Sequence, residues 1–232
     1  MNRILLKISG EALGGQGGAP VDPSVAGVLA AQIASVHQRG VEIGIVVGGG
    51  NILRGALFSE AGTNRPTADQ MGMLATVINA LALSDALERL GVETRVLTAV
   101  EMNQVAEPFI MRRAMRHMEK GRIILLAGGT GNPFFTTDTA AALRAMEIGA
   151  DVLIKATKVD GVYDKDPLQN PDATRFEELG FDEVLERGLN VMDATAITLC
   201  KENGVPILVF NLFEEGNLGR VLAGEKLGTW VR

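Results

Sequence analysis

The chain has 232 residues, a net charge of −6, and 47% hydrophobic but only 4% aromatic residues. This length suffices for one large α/β domain or two small ones without disulfides or metals, and we expect one domain over residues 1–232. The acidic balance excludes a general attraction for nucleic acid or for an anionic membrane surface. An aliphatic core is typical of a parallel sheet that helices cover on both faces.

The opening residues lack the pattern of a secretory signal, and the longest apolar stretches fall short of the ~20 residues that cross a bilayer. The single cysteine, Cys200, can form no internal disulfide, which fits a reducing compartment. We therefore expect a soluble, cytoplasmic protein in which Cys200 is a small apolar residue of a helix.

Strand-like and helix-like patterns alternate along the chain. Apolar runs predict strands over residues 3–8, 41–47, 93–99, 122–127, 151–157 and, as the final core strand, 206–211. Helical spacing predicts helices over residues 21–40, 67–90, 109–121, 138–149, 181–187 and 193–203. Repeated βαβ units favour right-handed crossovers and a mostly parallel sheet. Residues 158–176, rich in Asp, Pro and Asn, read as a surface excursion.

Three of the predicted strands end in glycine-bearing loops. Ser9-Gly10-Glu11 follows the first strand, GGGN at residues 48–51 follows the second, and GGTGNPFFTTD at residues 128–138 follows the fourth. Glycine in a loop costs backbone entropy on ordering and adds no side chain, so packing alone does not explain these positions. Free backbone N–H groups and hydroxyls at a helix start suit an anion. The sequence therefore predicts one large phosphate site where several strands end.

The common nucleotide-binding motifs are absent from this sequence. No Gly-Lys pair occurs, which excludes a Walker A loop, and neither glycine cluster has the third glycine of the Rossmann fingerprint. Protein-kinase motifs are missing as well. His37 and His117 lie in helix-like segments with polar neighbours, which argues against a histidine-dependent nucleophile. The remaining chemistry is positioning of phosphates and neutralisation of their charge.

Three charged side chains are candidates for that chemistry. Lys7 lies in an apolar strand, where an unpaired ammonium group is costly, so it is predicted to point toward an anion. An edge-strand lysine that discourages aggregation is the alternative. Arg54 could reach a phosphate from the GGGN loop or be a solvated surface residue. Asp193 stands at a predicted helix N-cap, and capping alone would also explain it.

Taken together, these segments resemble the bacterial-type UMP kinases, which have the amino-acid-kinase fold. The match runs nearly end to end, through residues 5–13, 46–55, 68–83, 128–141, 153–167, 191–196 and 206–211. Its most specific piece is TGNPFFTTD, whereas GGGN and the Lys7-x-Ser-Gly pattern indicate only the wider fold. The resemblance implies a three-layer αβα sandwich. It also implies transfer of the γ-phosphoryl group of ATP to UMP, in pyrimidine nucleotide biosynthesis.

The resemblance further implies roles for particular positions. The positions that would bind the phosphates of ATP are Lys7, Ile8, Ser9, Gly10, Gly50 and Arg54. The positions that would bind its adenosine are Thr157, Tyr163 and Asp166. Those around UMP are Gly49, Asp69 for the ribose hydroxyls, Thr130, Gly131, Asn132, Pro133, Phe134, Phe135, Thr136 and Thr137. Without a ligand, the two phenylalanines would be interpreted as core packing.

The catalytic residues that the resemblance implies are Lys7, Asp138 and Asp193. Asp193 is expected to orient Lys7, and Asp138 is expected to help arrange the phosphates at the start of a helix. Mg²⁺ would be carried with ATP, and no metal-ligating residues of the protein itself are implied.

The resemblance also suggests assembly and regulation. GTP-regulated members are commonly hexamers with an effector site near the first loop and the long helix. Here that helix carries Ser84-Asp85 where some members have Arg-Asp, so UTP inhibition is expected and GTP activation is doubtful. The apolar helix over residues 67–90 predicts a homo-oligomer, and the resemblance implies a hexamer.

Two other functions stay open at this point. A kinase of the same fold that acts on carbamate, aspartate or acetylglutamate would lack a pyrimidine pocket, and TGNPFFTT argues against it. A non-catalytic protein of this fold that stores metal oxyanions and holds ATP is the second alternative. Lys7, Asp138 and Asp193 favour catalysis over storage.

Overall fold

The structure is a computed structural model that describes residues 1–15, 17–53, 62–167, 169–214 and 216–232. Its strands are β1 Arg3–Ile8, β2 Glu42–Val47, β3 Thr94–Thr98, β4 Glu107–Pro108, β5 Ile123–Ala127, β6 Val152–Thr157, β7 Glu178–Leu179, β8 Ile207–Asn211 and β9 Thr229–Val231. They form one sheet in the order β4-β3-β5-β2-β1-β6-β8-β9-β7. Every pairing is parallel except that of β8 with β9.

Helices connect the strands. Their bounds are α1 Pro23–His37, α2 Arg65–Glu88, α3 Met111–Glu119, α4 Thr137–Glu147, α5 Phe181–Glu186, α6 Ala194–Asn203 and α7 Asn217–Leu222, with a 3₁₀ turn at Gly10–Leu13. Local chemistry explains where several begin and end. Asp22 caps α1 by accepting from the N–H of Ser24, and Pro23 occupies the first position of the helix. Gly204, at φ 65°, ends α6 in the left-handed conformation.

Apolar side chains cover both faces of the sheet. Helices α1, α2 and α7 pack on one face, and α3, α4, α5 and α6 pack on the other. Along β1, Ile4 and Leu6 contribute to the first layer and Leu5 to the second, and all three are fully buried. Each such side chain stabilises the fold by roughly 1.5–3 kcal/mol relative to an exposed one. The predicted αβα sandwich with a mostly parallel sheet is confirmed.

Each predicted strand and helix is present, with ends that differ by a few residues. The prediction that residues 206–211 form the last strand is wrong, because Thr229–Val231 adds β9 antiparallel to β8. The sequence analysis also missed β4, β7, α7 and the 3₁₀ turn, which have two to six residues and are too short to show a periodicity. Residues 158–176 form the predicted excursion, with one isolated bridge between Tyr163 and Arg175.

α2 is the one described helix whose length and composition would also suit a membrane span, with a mean hydropathy of 1.2. Half of its most apolar window is buried inside the fold, as in a core helix. The opposite face carries Leu74, Ile78 and Leu81, which are 50%, 51% and 37% exposed. The four- and three-residue spacing of these side chains produces an apolar stripe.

Burial of Cys200 on α6 raises the pKa of its thiol to about 12. Because the thiolate is the reactive species, we expect the native protein to resist labelling by 5,5′-dithiobis(2-nitrobenzoic acid) at mildly alkaline pH. The unfolded chain should release one equivalent of thionitrobenzoate, since it has one cysteine. Rapid, complete labelling of the native protein would contradict the burial of this thiol.

Candidate active site

The carboxyl ends of the central strands bring the glycine-bearing loops together. β5, β2, β1 and β6 are neighbours and run parallel, so the residues that follow them meet at one edge of the sheet. Ser9, Gly48, Gly128 and Lys158 are the first residues after these four strands. Open α/β sheets bind their ligands at such an edge.

Two lysines share one carboxylate at this edge. Lys7 on β1 and Lys155 on β6 are register partners, so their side chains leave the sheet side by side. The Nζ atom of Lys7 lies 2.7 Å from Oδ1 of Asp138, and that of Lys155 lies 3.2 Å from Oδ2. Lys155 also donates to the carbonyl oxygen of Val191. The edge-strand interpretation of Lys7 is wrong, because β1 lies between β2 and β6.

Lys7 and Lys155 are each attracted to Asp138, and the three groups together carry a net charge of +1. Burial by itself would raise the pKa of Asp138, yet the ammonium groups of Lys7 and Lys155 outweigh it and hold that pKa below its ordinary value. Burial also lowers the pKa of Lys155, against the attraction of Asp138. Unit charges about 4 Å apart interact by roughly 4 kcal/mol at an effective dielectric constant near 20, so two attractions outweigh one repulsion.

Asp193 does not contact Lys7, and the carboxylate that contacts this lysine is that of Asp138. The expectation that Asp193 orients Lys7 is therefore corrected. Asp193 caps α6 by accepting from the N–H of Ala196 at 2.8 Å, as the capping alternative predicted. Its carboxylate also accepts from the hydroxyls of Thr136 and Thr139. Asp193 therefore ties the start of α4, which carries Asp138, to the start of α6.

A cavity of about 210 Å³ opens between α2 and the loop after β5. Its lining residues are Gly49, Gly50, Leu53, Ala68, Asp69, Gly72, Met73, Thr76, Gly129, Thr130, Asn132, Phe135, Thr136 and Thr137. Seven of the positions that the resemblance assigns to UMP are in this set. Gly131, Pro133 and Phe134 belong to the same loop but do not line the cavity.

Asp69 holds the far side of that loop. Its carboxylate accepts from the backbone N–H of Phe134 at 2.7 Å and from Arg65 at 2.8 and 2.9 Å. Phe134 has a positive φ of 74°, a strained conformation for a residue with a side chain, and this hydrogen bond helps to maintain it. Phe134 and Phe135 are 65% and 50% exposed, so the core-packing interpretation of this pair is wrong.

A second cavity, of about 490 Å³, lies beyond the end of β6. Thr157, Tyr163 and Asp166 are among the residues that line it, so the three positions assigned to adenosine are brought together. The hydroxyl of Tyr163 donates to Asp160 at 2.5 Å, and that of Thr157 donates to the carbonyl oxygen of Val159 at 2.5 Å. Both cavities therefore open at the edge of the sheet where the two lysines lie.

The remaining predicted positions that the structure describes are near this edge. Ile8 is buried at the end of β1, and Ser9 precedes the 3₁₀ turn. Gly10 packs so tightly that a Cβ atom there would lie 2.5 Å from the carbonyl oxygen of Gly48. Arg54 lies outside the described residues.

Both histidines are engaged away from the lysine pair. The ring of His37 contacts the carbonyl oxygens of Val41 and Gly121, and that of His117 contacts Glu107 and Arg122. Among the described residues, no group of three or more His, Cys, Asp or Glu side chains could hold a metal ion. The excess positive charge of Lys7, Lys155 and Asp138 comes from the two ammonium groups around one carboxylate.

Lys155 is a residue of this site that was not predicted, although the sequence carries a signal for it. Lys155 interrupts the apolar run VLIKAT, just as Lys7 interrupts RILLKI. An unpaired lysine in either strand would be costly, so the argument applied to Lys7 applies equally to Lys155. The pairing of the two strands, which places the lysines side by side, could not be read from the sequence.

Residues 2–211 match the family described as "Amino acid kinase family". The chain belongs to that family. It is similar over its whole length to UMP kinase from Bacillus anthracis, at 39% identity and a TM-score of 0.96, with 96% of that chain covered. UMP kinase from Ureaplasma parvum is 40% identical, with a TM-score of 0.93 and coverage of 99% of this chain and 98% of that one.

A more distant similarity relates this member of the family to uridylate kinase from Archaeoglobus fulgidus. The identity is 28% and the TM-score 0.76, with 99% of each chain covered. The same arrangement of strands and helices therefore persists at an identity well below 40%.

Replacement of Asp138 by Asn should destabilise this kinase-family fold, because two buried ammonium groups would lose the carboxylate between them. We expect a loss of about 3 kcal/mol near neutral pH in urea unfolding. Burial holds the pKa of Lys155 in the native protein below its value in the unfolded chain. Protonated Lys155 therefore disfavours folding, and this penalty disappears as the pH rises toward the pKa of the unfolded chain. The deficit should therefore shrink at alkaline pH.

Asp182→Asn is the matched control, because Asp182 forms an exposed pair with Lys201. We expect this variant to stay within about 0.5 kcal/mol of the wild type. Equal, pH-independent losses in the two variants would contradict the role given to Asp138.

Proposed function

We propose that this protein is a UMP kinase, which transfers the γ-phosphoryl group of ATP to UMP and forms ADP and UDP. The observation that carries the proposal is the full-length similarity to UMP kinases at 39% and 40% identity. The geometry supports it, since a cationic centre lies at the sheet edge where two cavities open. The cellular process served would be pyrimidine nucleotide synthesis in the cytoplasm.

The two cavities would take the two nucleotides. UMP would occupy the smaller one, with its ribose near Asp69 and its phosphate near Thr136 and Thr137. The adenosine of ATP would occupy the larger one, and its phosphates would extend past Ser9 and Gly10 toward UMP. The γ-phosphoryl group would then lie beside Lys7 and Lys155.

The reaction needs placement and charge neutralisation more than covalent chemistry. An oxygen of the UMP phosphate attacks the γ-phosphorus of ATP, the new P–O bond forms, and the bond to the β,γ-bridging oxygen breaks as ADP leaves. The attacking phosphate is already an oxyanion near neutral pH, so no general base is required. Lys7 and Lys155 would hold the equatorial oxygens on which charge accumulates. Asp138 would act as a positioning residue by holding both ammonium groups.

Mg²⁺ would enter as part of the ATP complex. The carboxylate of Asp138 already binds two lysines, and that of Asp193 accepts from two hydroxyls and one backbone N–H. Both carboxylates therefore already have partners within the protein. This arrangement fits a Mg²⁺ ion that arrives bound to the phosphates of ATP, rather than one that the protein binds beforehand. The ion would neutralise part of the phosphate charge.

A coupled assay of ATP consumption tests the function, with UMP, CMP, dUMP, carbamate, aspartate and acetylglutamate offered in parallel. Selective turnover of UMP is the expected result. Turnover of a carboxylate or of carbamate instead would favour another kinase of this family. ATP binding without turnover of any acceptor would favour the storage alternative.

Lys7→Met should lower kcat by at least ~10²-fold, the effect of removing one electrostatic stabiliser of a transition state. Lys201→Met is the control, because Lys201 lies on the exposed side of α6 and pairs with Asp182. That variant should keep kcat within about twofold of the wild type. Near-normal turnover by the Lys7→Met enzyme would refute the placement of the γ-phosphoryl group.

We also propose that the protein is a homo-oligomer, with the apolar stripe of α2 as a contact between subunits. Leu74, Ile78 and Leu81 are large and exposed along one face of one helix. Such contiguous apolar surface commonly marks an interface, and two-fold contacts between identical faces are the most frequent kind. The family resemblance implies a hexamer.

Ile78→Glu should reduce the mass of the particle in sedimentation or light-scattering experiments, because it would bury charge in that contact. Val28→Glu is the comparison, since Val28 is 65% exposed on α1 and outside the stripe. We expect the second variant to retain the wild-type mass. An Ile78→Glu protein that keeps the full mass at micromolar concentration would exclude this face as the contact.

Regulation by nucleotides is the final element of the proposal. UTP shares its base and sugar with UMP, and we propose that it inhibits the enzyme. Activation by GTP is doubtful, because Ser84, whose hydroxyl bonds to Thr94, stands where some members have an arginine on the long helix. Initial rates measured with each effector distinguish these outcomes.

A further inference from the structure

The inner face of α2 carries two buried polar side chains that face the ends of neighbouring strands. Thr76 and Asn79 are 3% and 0% exposed and lie three residues apart, on one face of the helix. Asn79 donates from Nδ2 to the carbonyl oxygen of Gly48 at 2.6 Å. Thr76 accepts at Oγ1 from the N–H of Gly128 at 2.8 Å. One helix therefore bonds to the loop after β2 and to the loop after β5.

The two side chains reach neighbouring strand ends that lie at the same level of the sheet. The register of β2 with β5 places Gly48 level with Gly128, three residues beyond the last paired positions. The hydrogen bonds of Asn79 and Thr76 therefore join one helix to two adjacent strand ends.

Protein partners already occupy the polar atoms of both side chains. The Thr76 hydroxyl donates to the carbonyl oxygen of Met73 at 2.6 Å. Asn79 forms a reciprocal amide pair with Asn51, with hydrogen bonds of 2.7 and 3.0 Å. The Thr76 hydroxyl has one proton and the Asn79 amide has two, and all three are used in these contacts. Thr76 lines the cavity proposed for UMP, but both side chains use all their donors within the protein, so they hold the loops in place.

The helix backbone also packs directly on the first loop. A Cβ atom on Gly49 would lie 2.8 Å from the carbonyl oxygen of Gly72 and 2.9 Å from the Cβ atom of Ala75. Contacts this short leave no space for a side chain between loop and helix. The loop after β2 thus has a fixed position on α2, and the hydrogen bond from the N–H of Gly128 to Thr76 joins the loop after β5 to the same helix.

We propose that Thr76 and Asn79 are positioning residues that set the distance between the two loops, both of which line the cavity proposed for UMP, and thereby the place of the UMP phosphate relative to the γ-phosphate of ATP. The inference rests on the proposed function, because phosphoryl transfer makes that distance matter. Reacting atoms must approach within ~3–3.5 Å, and a displacement of ~1 Å costs on the order of 10²-fold in rate. An error in spacing therefore lowers kcat and raises KM for UMP, whereas KM for ATP changes little because the cavity proposed for adenosine lies beyond β6.

Thr76→Val is the decisive variant, because it replaces the hydroxyl by a methyl group of similar size and leaves the Gly128 N–H without its partner. We expect kcat to fall by at least ~10-fold, with KM for ATP within ~3-fold of the wild type. Thr76→Ser keeps the hydroxyl and should restore kcat to within ~3-fold.

Thr94→Val is the matched control. Thr94 is 1% exposed and bonds through its hydroxyl to Ser84 at 2.5 Å and to Glu88 at 2.8 Å, but it begins β3 at the opposite edge of the sheet. The variant loses a buried hydroxyl in the same way as Thr76→Val. We expect its kcat to stay within ~2-fold of the wild type at a temperature where both variants are folded.

The outcomes separate the inference from the proposed function. A Thr76→Val enzyme with wild-type kcat, with a change confined to KM, or with a loss that Thr94→Val reproduces would overturn the positioning role while UMP phosphorylation by the wild type stands. A Thr76→Ser enzyme as slow as Thr76→Val would also overturn it. A wild-type protein that does not phosphorylate UMP would overturn the proposed function and this inference with it.

Discussion

The carboxylate of Asp138 between two ammonium groups is the interaction on which the site depends. Lys7 and Lys155 stand side by side on β1 and β6, in the interior of the sheet, where two unscreened positive charges would repel and be poorly solvated. Asp138 contacts both and is itself placed by the start of α4. The three groups form a compact centre with an excess positive charge, which suits a phosphoryl group that gains negative charge during transfer.

The surrounding fold keeps this centre in place. The hydroxyl of Thr136 caps α4, and Asp193 binds that hydroxyl while it caps α6, so two helix starts are fixed relative to each other. On the opposite face, α2 holds the glycine loops after β2 and β5 through Asn79 and Thr76. The cationic centre and both cavities therefore lie at one edge of the sheet, where the central strands end.

Much of this could be predicted from the sequence, because the strongest signals are local. Aliphatic runs identified the strands β1, β2, β3, β5, β6 and β8, and glycines after three of them identified the loops. Lys7 was predicted as a site residue because a lysine in an apolar strand needs a partner. The identity of that partner was not available, since Asp138 and Asp193 both lie at predicted helix starts. Only the tertiary structure brings Asp138 to the lysine.

The elements that were missed depend on non-local contacts. β9 has three residues and becomes a strand through pairing with β8, so no periodicity revealed it. Thr76 and Asn79 are isolated polar residues in an apolar helix, a pattern that indicates a core helix until the strand ends beside them are known. Lys155 was overlooked although its strand carries the same signal as Lys7. Its importance comes from the register of β6 with β1.

A crystal structure of the protein with UMP and a non-hydrolysable ATP analogue would show whether the two lysines bind the transferred group. We expect the Nζ atoms of Lys7 and Lys155 both to lie within about 3 Å of oxygens of the terminal phosphate, the distance of a charge-assisted hydrogen bond. Asp138 should remain in contact with both lysines, and UMP should fill the cavity beside Asp69. Phosphates bound elsewhere, with Lys7 and Lys155 still engaged only by Asp138, would contradict this expectation.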